Sequence, residues 1–357
     1  MKIMRSTKLS LKFCNQRKIT LLNSVLKEYG TVVNHFIALF WKECPSKGKL
    51  LKAIVNYPDT WLCARLRKVA AREAIDMVRA NRERDKDKAV MPVHAGRCMC
   101  VSSTIAALVD GSKAFDGYII LRCIGNGIKL NLPVNFHRHL HSLKNLGRRC
   151  ESYIITDKYI QLAFEIETGL KKRPDSCVGI DTGINSLASL SNGEQLGTDI
   201  KSCIERIKRC KHGSKGQKRA SKALRQRMNE VAKQIAGKFD LVVVENLKNI
   251  TKNTKRRLGK NMRRTIGRWN IRYWLTRLQM ACEMKRCSFR TVCAGYTSQT
   301  CSACGYTDRK NRTGEVFHCL KCSHRANADV QASVNILQRF LTGPYGAGCK
   351  PACSIIT

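Results

Sequence analysis

Residues 296–338 read YTSQTCSACGYTDRKNRTGEVFHCLKCSHRANADVQASVNILQ, and this stretch decides how the rest of the chain is understood. It holds two Cys-x-x-Cys pairs, Cys301/Cys304 and Cys319/Cys322, followed by a lone acid, Asp329, at the start of a helical pattern. Four thiolates at that spacing can close a tetrahedral Zn2+ shell and leave no open position for catalysis. Gly305 lets the chain turn tightly after the first pair. His318 and His324 flank the second pair, but four cysteines suffice. A redox pair and an iron–sulfur site are the competing readings. A loop this polar has no core of its own, so one structural zinc is expected to fold it and fix its exit into the helix behind.

Two further acids stand out upstream. Asp181 ends the apolar run CVGID and Glu245 ends LVVVE, which is short, β-branched and apolar throughout, the pattern of a strand buried on both faces. Taken singly, Asp181 could cap a turn, Glu245 could form an ion pair and Asp329 could cap a helix. Taken in order, an acid on a first strand, one on a later strand and one on a late helix resemble the ribonuclease-H-like arrangement. Carboxylates gathered in that way need cations, and hard oxygen ligands favour Mg2+. Two such ions, with Mn2+ as a substitute, are suited to phosphodiester hydrolysis.

Composition points to the partner. The 357 residues carry 66 Lys and Arg against 26 Asp and Glu, a formal charge of +40. A surface of that sign attracts polyanions, nucleic acid first and an anionic membrane second. Residues 201–228 contain eleven basic residues and one acid, and 252–272 contain nine and none. Phosphate contact is expected there from Lys208, Arg209, Lys211, Lys215, Lys218, Arg219, Lys255, Arg256, Arg257, Arg263, Arg264 and Arg268. Trp269, Tyr273 and Trp274 follow and are read as sheet packing rather than base stacking. No apolar run reaches membrane-spanning length, the opening residues form no apolar signal core, and the fifteen cysteines outside the quartet are scattered. A reducing, cytoplasmic, prokaryotic setting is expected, with nucleoid association when active.

Along the chain, KLSLKF (8–13) alternates as a strand, and a helix is expected from about Thr20 with its stripe at Leu22, Val25, Leu26, Tyr29, Val32, Val33, Phe36, Ile37 and Phe40. A second helix follows Pro58 and Asp59, with Leu62, Leu66, Val69, Ala70 and Met77 inward, and strands return in GIKLNLPV and YIQLAFEIE. A helical insertion therefore interrupts a small β-domain. Beyond the linker TGLKKRPDS come one long basic helical region over 201–236, a helix near 268–285, a strand at FRTVCAGY and a last helix over about 328–340.

Four segments, GIDTGINSLASLSNG, DLVVVENLKNI, YTSQTCSACG…NRTGEVFHCLKC and ANADVQASVNIL, together resemble the TnpB-type RNA-guided nucleases of insertion sequences, relatives of the compact type V CRISPR effectors. The resemblance covers roughly residues 175–340 and is only in outline before that. It implies an α+β multidomain chain with a wedge domain of β-barrel type over 1–16 and 97–170, interrupted by a helical recognition lobe over 17–96. It also implies an RNase H-like (RuvC) nuclease domain over 171–298 and 326–341, a target-nucleic-acid-binding zinc-ribbon insertion over 299–325 and a flexible tail over 342–357. Asp181, Glu245 and Asp329 would be the catalytic, Mg2+-binding acids, and Cys301, Cys304, Cys319 and Cys322 the zinc ligands. The implied partners are a guide RNA and a double-stranded DNA target cut beside a short adjacent motif, with most specificity supplied by base pairing. The same motifs suit a compact type V CRISPR effector using a CRISPR RNA. A binding-only RNA-guided repressor would be expected to lack one of the acids. One departure is visible: Gln331 stands where the family commonly has Asn, which is expected to alter support near the metal site.

Overall fold

The computed structural model describes residues 2–45, 50, 52–56, 58–84, 89–111, 114–169, 174–247 and 259–343. Lys255, Arg256 and Arg257, residues 85–88 of the charged run, 170–173 of the linker and 344–357 of the tail lie outside them. The fold is α+β, in two units, residues 2–167 and 168–357.

In the first unit, β1 spans Lys2–Ser10 rather than 8–13. Helix α1 (Gln16–Lys42) begins upstream of Thr20 because the Asn15 side chain caps it, accepting from the Lys18 amide at 3.0 Å. The expected stripe from Leu22 to Phe40 is buried throughout. It packs with α3 (Ala64–Arg84), whose inward face is Leu66, Ala70, Ala71, Ala74, Ile75 and Val78, with Val69 and Met77 as half-buried flanks; α2 (Lys52–Asn56) and α4 (Arg138–Leu146) are the unit's short helices. Small residues on α3 admit the large ones of α1, and Phe36 stacks on Phe40 at 5.6 Å between centroids. The antiparallel sheet that shares this core runs in the order β1–β7–β6–β2, with β2 at Cys98–Ser102, β6 at Arg148–Thr156 and β7 at Tyr159–Glu167. A second sheet joins β3 (Ala106–Asp110), β4 (Gly117–Leu121) and β5 (Leu130–Val134).

The second unit is organised by a five-stranded sheet in the order β10–β9–β8–β11–β12. Its strands are β8 (Cys177–Asp181), β9 (Ala188–Leu190), β10 (Gln195–Leu196), β11 (Leu241–Glu245) and β12 (Ser288–Val292). β8, β11 and β12 are mutually parallel, while β9 and β10 run antiparallel beside them. The uniform apolarity of β11 follows from its position between two covered faces. Val242 and Val244 meet α5 (Ile200–Arg209), α6 (Lys215–Lys238) and α8 (Ile271–Met284), while Leu241 and Val243 meet Ile336 of α9 (Ala328–Thr342).

The basic helical region over 201–236 is two helices, and the helix expected near 268–285 starts after a break at Asn270, with a further helix in the basic stretch before it. Gly213 takes φ +76° and Ser214 caps α6, which separates it from α5. Asn270, at φ +53°, divides α7 (Lys260–Trp269) from α8. Trp269 and Trp274 are buried in this core, Trp274 with its Nε1 donating to Thr182 Oγ1 at 3.4 Å.

Candidate metal and catalytic site

The parallel pairing of β8 with β11 places Ile180 opposite Val244, so Asp181 and Glu245 leave the sheet side by side at the same edge. α9 brings the third acid to that edge. Asn327, not Asp329, caps α9, accepting from the amides of Asp329 and Val330 at 3.0 and 3.1 Å. The Asp329 carboxylate is thereby released from capping and pairs with Arg312, Nη2 to Oδ1 at 2.7 Å. The three acids thus come together, from segments 64 and 84 residues apart (245 − 181 and 329 − 245).

Burial pushes the Asp181 carboxyl up to about 7, with the negative charges of Glu245 and Asp329 adding to the rise and Arg312 opposing it. Burial also raises Glu245, against the Thr297 hydroxyl, which donates a short hydrogen bond to Oε1, and the charges of Arg339 and Arg312. A cluster that resists its own ionisation stores affinity for cations, and its hard oxygen donors fit divalent metal. Glu245 and Asp329 open on a cleft of about 1150 Å3, lined also by Arg312, Lys201, Trp269 and Thr182, the residue after Asp181.

Beside the cleft, the cysteine quartet is assembled as its spacing predicts. Cys301 Sγ lies 3.7 Å from Cys322 Sγ, Cys304 Sγ lies 3.6 Å from Cys319 Sγ, and all four sulfurs are within 4.8 Å of one another. Zn–S bonds of about 2.3 Å in a tetrahedron require sulfurs roughly 3.8 Å apart, so the quartet fits zinc. Gly305 takes φ +72° at the first turn. A three-stranded sheet, β13 (Arg312–Thr313), β14 (Val316–His318) and β15 (Arg325–Asn327), carries the chain from the knuckle to α9.

Several residues of this region escape sequence reading. Arg312 is one basic residue among many. Thr297, 2 % exposed, is fixed through its carbonyl by Asn335 Nδ2 at 2.7 Å. Gln331, Asn335 and Arg339 form a buried polar stripe on α9 that binds the carbonyls of Thr300, Thr297, Cys293 and Gly295. The signal was available: polar side chains at i, i+4 and i+8 among apolar neighbours mark a helix face that meets backbone rather than core. Gln331 supports the knuckle rather than the acids, accepting from Ser302 Oγ at 2.9 Å and lying 3.3 Å from His324 Nε2.

Of the expected phosphate contacts, Lys208, Arg209, Lys211, Lys215, Lys218, Arg219, Arg263 and Arg264 are exposed and Arg268 is half-buried. Tyr273 is tied into the fold, its hydroxyl donating to Asn229 at 3.2 Å. No helix among the described residues is long and apolar enough to cross a membrane.

The fold is α+β, a mixed sheet with acids gathered at one edge and joined to a four-cysteine knuckle, and it resembles that of Cas12f1. Residues 273–336 match the Cas12f1-like TNB domain. The chain is 28% identical over 213 residues to the "Putative RNA-guided DNA endonuclease InsQ" of Escherichia coli (strain K12), covering 50% of this chain and 53% of InsQ. It is 52% identical over 42 residues to the CRISPR-associated endodeoxyribonuclease Cas12f1 of Sulfoacidibacillus thermotolerans, 12% of this chain and 10% of that one. Among solved structures, the Cas12f1–sgRNA–target DNA complex matches with a TM-score of 0.58 at 13% identity, covering 94% of this chain and 84% of the Cas12f1 chain. The chain is homologous to the TnpB-like InsQ and to Cas12f1, as its motifs imply, and the InsQ match spans about half of that relative's length.

Proposed function

We propose that the chain is an RNA-guided DNA endonuclease, with an RNA-bound guide selecting double-stranded DNA and the carboxylate cleft cutting it. The observation that carries this reading is the gathering of Asp181, Glu245 and Asp329 at one sheet edge, where Glu245 and Asp329 line a cleft and Asp181 is raised to about 7 by burial and by their charges. The domain assignments follow from the same reading: a RuvC-like nuclease domain around the five-stranded sheet, a zinc ribbon at 299–325, and a wedge with a helical recognition lobe before residue 171.

The roles of the residues follow from their chemistry. Asp181, Glu245 and Asp329 are the metal ligands and catalytic acids. Two Mg2+ ions, or Mn2+, supply an activated water and charge neutralisation of the leaving oxygen when bound. Thr297 aims Glu245, and Arg312 pairs with Asp329 and sets a positive charge beside the acids. Cys301, Cys304, Cys319 and Cys322 hold one structural zinc that sets the position of Arg312 and of the start of α9. The exposed bases of α5–α7 and the loop before α6 contact phosphates, without reading sequence themselves.

The test begins with RNA recovered from the protein expressed beside its native flanking DNA. Cleavage of a plasmid matching the recovered guide is then measured with Mg2+, for the wild type and Asp181→Ala. A structured RNA ending in a guide, and cutting abolished by the substitution, is the expected result, and the origin of the RNA decides between transposon end and CRISPR array. RNA bound with no cutting by the wild type would overturn the nuclease assignment.

A further inference from the structure

The first unit contains a second cluster of metal-ligating side chains, remote in sequence from the cysteine quartet. Glu73 projects from α3, His94 lies in the segment before β2, and Cys98 is the first residue of β2. His94 Nε2 stands 3.5 Å from Glu73 Oε1 and 3.6 Å from Cys98 Sγ, and the three ligand atoms all lie within 4.8 Å of one another. We propose that Glu73, His94 and Cys98 form a divalent-metal site of the zinc class.

The distances separate this from a simple hydrogen-bonded triad. Ordinary N–H···O bonds measure about 2.7–3.2 Å, and one ring N–H cannot serve two acceptors well. Here the carboxylate and the thiol both meet the same nitrogen, and the contact to oxygen, at 3.5 Å, is longer than an ordinary N–H···O bond. The edges of a zinc tetrahedron are the better match. Bonds of about 2.0–2.1 Å to N and O and 2.3 Å to S give an N···O edge of roughly 3.3–3.4 Å and an N···S edge of roughly 3.6 Å. The ligand set is thiolate, imidazole and carboxylate, a borderline-soft mixture that suits zinc and discriminates against Mg2+ and Ca2+. A thiolate and a carboxylate also neutralise a dication, so the loaded site brings no net charge into a part-buried position.

The surroundings hold the ligands in place. Tyr29 donates its hydroxyl to Glu73 Oε2 at 2.7 Å, which leaves Oε1 for a metal and sets the carboxylate plane. Asn34 clamps the His94 backbone twice, accepting from its amide at 2.7 Å and donating to its carbonyl at 3.0 Å. Gly30 of α1 admits this segment: a Cβ there would stand 2.5 Å from Gly96 Cα and 3.1 Å from His94 Nδ1. The Gly96 amide lies 3.2 Å from Nδ1, so metal binding at Nε2 moves the ring proton to Nδ1 and gives up that one contact. Three protein ligands leave the fourth position to water or a neighbouring donor, unlike the closed quartet.

Metal content decides the matter without reference to nuclease activity. The full-length protein, loaded with Zn2+ and dialysed against a weak chelator, is expected to retain two zinc ions per chain by elemental analysis. A His94→Gln/Cys98→Ser variant is expected to retain one, as is a Cys301→Ser/Cys304→Ser variant. Co2+ substitution should give thiolate charge-transfer absorption that the Cys98 change lowers but does not remove. One zinc in the wild type, lost with Cys301 and Cys304, overturns the proposal, as do two zincs surviving in the His94/Cys98 variant. Should that variant fold poorly, the single Cys98→Ser change, made in an Asp181→Ala background so that the carboxylate site cannot hold the second ion, is expected to lose one zinc and part of the Co2+ thiolate absorption; loss of neither overturns the proposal.

Discussion

Substituting Gly179 by Ala tests whether the sheet positions Asp329. Gly179 lies in β8, two residues before Asp181, where α9 crosses the sheet at its closest. A Cβ at this position would sit 2.1 Å from the Ser333 carbonyl oxygen, 2.8 Å from the Leu337 amide and 2.9 Å from Leu337 Cβ. Two of these are backbone atoms, so no rotamer change relieves the clash, and α9 must retreat by more than about 1 Å to restore ordinary contact. Overpacking of this kind costs about 1–3 kcal/mol. For a unit the size of residues 168–357 that corresponds to a fall in Tm of roughly 2–12 °C. Asp329 and its bond to Arg312 ride on the same helix. Displacing a reacting group by about 1 Å lowers rate by about 100-fold. Thermal unfolding followed by circular dichroism, with single-turnover cleavage by the guide-loaded protein, reads both effects. A wild-type Tm would refute the close approach; a lowered Tm with wild-type cleavage would refute the coupling between sheet, helix and site.

Four further outcomes are expected. Asp181, raised from 3.8 to about 7, contributes stability that is complete below the unfolded value, declines as pH rises and is gone above about 7. Mg2+ should therefore raise Tm more at pH 8 than at pH 6, where it must displace a proton; equal shifts at both would contradict the assignment. Asp181→Asn should stabilise the metal-free protein at pH 8, by on the order of 2–4 kcal/mol, while abolishing cleavage, an opposition of sign that calorimetry and a plasmid assay reveal together. Arg312→Ala should lower Tm at pH 8 and push the Asp181 titration, followed by carboxylate NMR, further up; an unmoved titration would remove Arg312 from the cluster. Asn335→Ala frees the Thr297 and Thr300 carbonyls inside the fold and should cost about 1–3 kcal/mol, with kcat reduced more than KM because Thr297 loses its grip on Glu245.

What could be read in advance was whatever depends on local pattern. LVVVE announces a strand covered on both faces because only such a strand tolerates four consecutive apolar residues before an acid. The quartet is legible because metal coordination fixes spacing. Helix ends were less legible. Asn15 caps α1 five residues before a Thr20 cap would have started it (20 − 15), and the break at Asn270 depends on a left-handed conformation that many sequences avoid. Within the site, Asp181 and Glu245 are marked by the apolar runs they end, whereas Arg312 is indistinguishable in a chain with 66 basic residues. The α9 stripe shows in the sequence as a polar i, i+4, i+8 period, but its carbonyl partners and Thr297 lie about 40 residues away, and no local period names them. The Glu73, His94 and Cys98 cluster carries no motif spacing because its ligands come from a helix, a loop and a strand.

Because α9 carries Asp329 and also covers the β8 face of the sheet, the site has a birth order. Asp181 leaves the ribosome 148 residues before Asp329 (329 − 181). At about 5–20 residues per second, this is an interval of roughly 7–30 s. Throughout that time the first two carboxylates exist without the third, without Arg312 and without a lid on one face of their sheet. A growing chain dense in positive charge therefore meets polyanions before its three acids have come together, so under the proposed function nucleic acid is bound before it can be cut.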